Sequence, residues 1–131
     1  MRILYVEDDA MNRRVVKDML SVIGAHMDEA ENGTIGLEKV DAEEVFDVIL
    51  MDLRMPGMDG LTAIEHIRAR KDSKANLPII VITADTSPNL FDKCMGSGAD
   101  DVLMKPVAMD ALMNSMGRVI AGGDAGEVML A

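Results

Sequence analysis

Aromatic residues are scarce in this chain, with one Tyr, two Phe and no Trp among 131 residues. A site that grips a flat heterocycle by stacking has little to build from. Positive charge is short too: 13 Lys plus Arg stand against 23 Asp plus Glu, a net charge of -10, and no basic cluster stands out. That balance argues against direct nucleic-acid binding. A single cysteine, Cys94, excludes an intramolecular disulfide, and no Cys–His set has zinc spacing. It reads as a small buried apolar residue. No segment approaches the ~18 apolar residues a membrane span needs, and the four apolar residues after Arg2 are far too few for a signal peptide. The expectation is a soluble, cytoplasmic chain forming one domain, since compact domains most often hold about 100 to 150 residues.

Short apolar runs alternate with longer amphipathic ones. Ile3-Leu4-Tyr5-Val6 is a first strand, and Val15, Val16, Met19, Leu20 and Ile23 recur at helical spacing over residues 10 to 23, where Gly24 ends the helix. His26 to Ala30 reads as a second strand and Thr34 to Glu44 as a second helix, with Ile35, Leu37 and Val40 inward. Residues 47 to 51 form a third strand. Met55 to Gly60 is turn chemistry, followed by a third helix with Leu61, Ile64 and Ile67 inward. Ile79 to Thr83 is a fourth strand, and Ser87-Pro88 is read as the N-cap and first-turn proline of a fourth helix. Val102 to Met104 is a fifth strand, and Met109, Leu112, Met113, Met116 and Ile120 mark a fifth helix. Residues 1–121 make the domain and 122–131 a short, flexible tail.

Five strand-helix pairs, with strands apolar on both faces, imply an α/β fold in which a parallel sheet is covered by helices on each side. Right-handed crossovers make it a doubly wound open sheet, whose ligands bind beyond the carboxyl ends of the strands. The residues at those ends carry the chemistry. Glu7, Asp8 and Asp9 close the first strand and Asp52 closes the third, so carboxylates converge and call for a hard divalent cation such as Mg2+. Thr83 and Lys105, at the ends of strands four and five, bring a hydroxyl and an ammonium to the same edge. Together these groups read as phosphoryl transfer.

Several residues have plainer readings. Asp9 is as good an N-cap for the first helix as a metal group and is left out of the site. His26 and His66 are read as solvated side chains. The 13 methionines are mainly core filler, as the spacing of Met109, Met113 and Met116 suggests, although some can form an adaptable docking face.

Tyr5-Val6-Glu7-Asp8-Asp9, Met51 to Gly60, Ile82-Thr83-Ala84, and Gly98-Ala99-Asp100-Asp101 with Lys105-Pro106 resemble the receiver domain of two-component response regulators. The likeness covers residues 1 to about 120. It implies the flavodoxin-like, CheY-like form of the fold, a five-stranded parallel sheet of order 2-1-3-4-5 flanked by five helices. It also implies that Asp52 is the phosphoacceptor, charged from a histidine of a kinase or a histidine phosphotransfer protein. Asp8 and Asp52 then ligate Mg2+ directly, Glu7 through water, and the Arg54 backbone carbonyl adds a further ligand. Lys105 and Thr83 hold phosphoryl oxygens, the Lys105-Pro106 bond is cis, and a downstream protein target reads the altered surface. The domain is then a signalling module that catalyses only its own phosphorylation and dephosphorylation.

The family's usual aromatic three places before the lysine is Val102 here, so the expected output is loop ordering or a backbone shift of the fourth helix. Arg54 and Asp85 are expected to pair across the pocket mouth, while the small Ala84 leaves the pocket accessible. A phosphatase of the haloacid-dehalogenase type wants an acid where Arg54 stands, and a flavin protein wants a Ser/Thr/Gly-rich loop after strand one. The nearer alternative is a receiver-like module that docks partners without being phosphorylated. With no effector domain after residue 120, the expected setting is a stand-alone regulator, a phosphorelay intermediate or a piece of a hybrid kinase, and Asn12-Arg13 after the acids resembles the hybrid-kinase style.

Overall fold

The computed structural model describes residues 1–42 and 45–122. Five strands, β1 (Arg2–Val6), β2 (His26–Ala30), β3 (Val48–Met51), β4 (Ile79–Thr83) and β5 (Asp101–Met104), alternate with five helices, α1 (Ala10–Val22), α2 (Gly33–Asp41), α3 (Gly60–Arg68), α4 (Leu90–Ser97) and α5 (Met109–Ile120). A 3-10 turn, Ser73–Asn76, leads into β4. All strand pairs are parallel, and the order is β2-β1-β3-β4-β5, as the resemblance implies.

The strands divide the core by their two-residue period. Leu4, Val6, Ile49, Met51, Ile79 and Val81 pack with Val40, Ala63, Ile64, Ile67 and Cys94 of α2, α3 and α4. On the other face Ile3, Tyr5, Val48, Leu50, Ile80 and Ile82 meet Val16, Leu20, Leu112, Met116 and Val119 of α1 and α5. The central strands β3 and β4 are buried throughout and β1 from Ile3 onward; β2 and β5 are edges, and their Asp28, Glu29 and Asp101 form ion pairs. Of the apolar residues at helical spacing around α1, Val16 and Leu20 are buried, whereas Val15 and Ile23, the C-cap residue, are exposed.

Helix starts follow capping chemistry, with one correction. Asp9 caps α1, Asn32 caps α2 and Asp59 caps α3, each accepting a backbone N–H with its side chain. Ser87-Pro88 does not open α4: the helix begins at Leu90 after Asn89, whose φ of 63° is left-handed, and Asn89 makes no side-chain cap bond. The Ser87 N–H is taken by the Asp85 carboxylate at 2.8 Å, which turns the chain before the helix can start. The second helix ends at Asp41, and Glu44, like the tail beyond Gly122, lies outside the described residues.

Gly60 fixes how closely α3 approaches the strand-end loop. A Cβ there would lie 2.2 Å from the Asp52 carbonyl oxygen and 2.9 Å from the Leu53 Cα. No other residue fits.

Candidate functional site

Register brings the strand-end residues together. Val6 is opposite Met51, and Thr83 opposite Met104, so the next residues, Glu7, Asp52 and Lys105, emerge at one edge of the sheet. The ladder continues into the loops: the Asp52 N–H donates to the Val6 carbonyl at 2.9 Å, and the Lys105 N–H to the Thr83 carbonyl at 2.8 Å. The Lys105-Pro106 peptide is cis, in agreement with the expectation.

A cleft of about 460 Å³ opens there, lined by Glu7, Asp8, Asp52, Arg54, Thr83 and Lys105 together with Asp9, Asn12 and residues 84–86. Its floor is buried and polar, Glu7 being 0%, Thr83 1% and Asp52 4% exposed. One carboxylate oxygen from each of Glu7, Asp8 and Asp52 lies within 4.8 Å of the others. Three hard oxygen donors this close suit Mg2+ or a similar divalent cation far better than a soft metal.

Lys105 reaches into the same space. Its ammonium donates to Glu7 Oε1 at 2.6 Å and to Asp52 Oδ1 at 3.3 Å. Burial by itself would lower its pKa, but the bond to Glu7 and the charges of Asp52 and Glu7 outweigh burial and raise it. The ammonium therefore stays charged. Desolvation, then the neighbouring Glu7, raises the Asp8 carboxyl above its usual value. Burial and the charges of Glu7 and Asp52 likewise hold the Tyr5 hydroxyl protonated, so it remains a donor, 3.3 Å from Glu7 Oε1.

The mouth is closed on one side by an ion pair. Arg54 Nη2 donates to Asp85 Oδ2 at 2.8 Å, as expected from the sequence. The Asp85 N–H also donates to Thr83 Oγ1 at 3.1 Å, tying the loop after β4 to the floor of the cleft. The bonds to Ser87 and to Arg54 pull the Asp85 carboxyl down to about 2.

All six residues singled out from the sequence thus line one cleft. Asp9 caps α1, while His26 and His66 are exposed and away from the cleft. Tyr5 and Asn12 were not read as site residues, yet both donate to Glu7. A signal for Tyr5 existed: residues 5 and 7 of a strand share a face, and a buried phenol needs a partner.

Comparison with known proteins agrees with this geometry. Residues 3–116 match the family model described as the response regulator receiver domain. Hybrid signal transduction histidine kinase G of Dictyostelium discoideum is 39% identical over 114 residues, which are 86% of this chain and 3% of that protein. The two-component response regulator ORR41 of Oryza sativa subsp. japonica is 38% identical over 85% of this chain and 87% of its own length. The receiver domain of a sensor histidine kinase from Pseudomonas aeruginosa PAO1, whose crystal structure has a magnesium ion coordinated in the active site cleft, superposes with a TM-score of 0.83 at 31% identity, covering 92% of this chain and 98% of that one. This chain belongs to the response regulator receiver domain family and is a signalling module of two-component systems. It spans a small part of the kinase it resembles and most of the rice regulator. Among the described residues, no helix is long and apolar enough to cross a membrane.

Proposed function

We propose that Asp52 accepts a phosphoryl group from a histidine of a partner kinase or histidine phosphotransfer protein, and that the product changes how the domain meets a downstream protein. The observation that carries this reading is the Glu7, Asp8 and Asp52 carboxylate cluster with the Lys105 ammonium bridging Glu7 and Asp52. The receiver domain is assigned residues 1–121, and a cytoplasmic setting belongs to the same proposal.

An Asp52 carboxylate oxygen attacks phosphorus; the new P–O bond forms as the donor's P–N bond breaks, and the imidazole leaves with the bonding electrons. Two anions must meet, so the residues around Asp52 have to offset charge. The Glu7, Asp8 and Asp52 side chains and the Arg54 backbone carbonyl are the groups that would hold Mg2+. When bound, the ion neutralises phosphoryl oxygens as negative charge redistributes. Lys105 places a compact positive charge beside the attacking carboxylate. Thr83 already accepts from Asp85, and its own proton is available to a phosphoryl oxygen. Dephosphorylation reverses the bond count: water attacks phosphorus, the acyl P–O bond breaks, and Asp52 is restored.

Val102 has no ring to turn inward, so the output runs through the loop after β4. A phosphoryl group that takes the Thr83 proton and competes for Arg54 pulls on the bonds joining Asp85 to those two residues, and through Ser87 on the start of α4.

The test is intact mass spectrometry after exposure to a small phosphoramidate donor. One phosphoryl group is expected with Mg2+, none with chelator, and none in Asp52→Asn. Equal labelling of Asp52→Asn, or no labelling of the parent chain, overturns the proposal and favours a docking module that is never phosphorylated.

A further inference from the structure

The Asn12-Arg13 pair stands just inside α1, where Asp9 caps the helix by accepting the N–H groups of Met11 at 2.8 Å and Asn12 at 3.3 Å. That cap sets where the first turn points. The Asn12 side chain donates from Nδ2 to Glu7 Oε1 at 3.2 Å, and Arg13 Nη1 donates to the Glu7 carbonyl at 2.6 Å. Arg13 is itself held by Glu29 on β2, its Nε lying 3.0 Å from Oε1, with its side chain 15% exposed. Two consecutive residues therefore grip one acid, the first by its carboxylate and the second by its backbone.

We infer that Asn12 and Arg13 are positioning residues for the cation site, holding the Glu7 carboxylate aimed into the cleft. The inference rests on the proposed metal-dependent reading of that cleft. The argument turns on charge. Of the three donors on Glu7 Oε1, Lys105 is the one that carries charge, so it competes with any cation for the same oxygens. Asn12 and Tyr5 are neutral donors and orient the carboxylate without subtracting from the negative charge the ion needs. Asn12 is the one that links the site to α1, so the seating of that helix sets the geometry of the acid. Arg13 acts on the backbone, keeping the strand end from peeling away from α1.

Calorimetric titration with Mg2+ alone, at fixed pH and with no phosphodonor, tests this. Removing the outer partners of a metal ligand commonly weakens affinity by 10- to 100-fold, and because Glu7 keeps other donors a loss of roughly tenfold is expected in Asn12→Ala and in Arg13→Ala. The thermal midpoint of Asn12→Ala in chelator should stay near that of the parent, which separates aim from stability. In a Glu7→Ala background, Asn12→Ala should produce no further loss. Should Arg13→Ala fail to fold, Arg13→Lys, which keeps one donor, should bind Mg2+ several-fold more weakly than the parent. Parental affinity in both Asn12→Ala and the Arg13 variant overturns the positioning role, as does an undiminished Asn12→Ala effect when Glu7 is already gone. A parent chain that binds no Mg2+ overturns the metal reading itself, and the inference with it.

Discussion

Helices α1, α2 and α3 each start on a side chain that accepts a backbone N–H, whereas α4 and α5 start on Asn89 and Ala108 with no such bond. Among the strands, β5 falls on the same side as α4 and α5. In β1 and β3 every residue from Ile3 to Val6 and from Val48 to Met51 is buried, while β5 is half-buried or exposed throughout. The acids of the cleft sit on the capped half; Thr83 and Lys105, proposed to act on the phosphoryl group, lead into the uncapped one. The proposed phosphorylation switch would need a fixed half to hold the ion and a softer half to answer it, because low-stability segments are the ones that rearrange.

The largest expected effect comes from breaking the fixed half. Gly60→Ala puts a Cβ against the backbone of Asp52 and Leu53, and should destabilise the domain by about 3 kcal/mol in urea unfolding. A loss under half of that would mean that α3 can slide away from the site. Swapping caps sharpens the contrast in both directions. Asp59→Ala removes an existing cap and should cost about 1 kcal/mol, while Ala108→Ser supplies one that α5 lacks and should add up to about 1 kcal/mol. If the two changes share a sign, the difference between the halves is not one of capping.

Much of this division was legible in the chain. The central strands announced themselves as unbroken apolar runs, and the strand-end acids, hydroxyl and lysine were placed correctly because parallel strands share one carboxyl edge. The beginning of α4 was not legible. Ser87-Pro88 has every local mark of a helix start, but the Asp85 carboxylate, held from 31 residues away by Arg54, takes the Ser87 N–H instead. Val15 and Ile23 fit a helical stripe, yet among the described residues of α1 the sheet face buries Val16 and Leu20 and partly covers Met19. Asn12 was noticed only as a likeness, since nothing in a linear reading shows that the first turn of α1 folds back over residue 7.

A smaller effect is expected at the mouth of the cleft. The Asp85 carboxyl titrates at about 2, below its ordinary 3.8, so its stabilising contribution is present at neutral pH and is lost as the pH falls through the range between those values. An NMR titration should find Asp85 still ionised at pH 3 in the parent and shifted upward in Arg54→Ala. The Arg54 side chain is 76% exposed, so Arg54→Ala should change stability by less than about 0.5 kcal/mol while altering the lifetime of the phosphorylated form several-fold. The smallest effects belong to His26 and His66, where replacement by Gln should leave phosphorylation unchanged and stability within about 0.5 kcal/mol.

The most direct measurement is peptide mapping after phosphorylation in Mg2+ and reductive trapping of the acyl phosphate. A single modified site at Asp52 is predicted, absent when chelator replaces the metal. Modification at any other residue, or trapping at Asp52 that proceeds equally well without a divalent cation, contradicts the account.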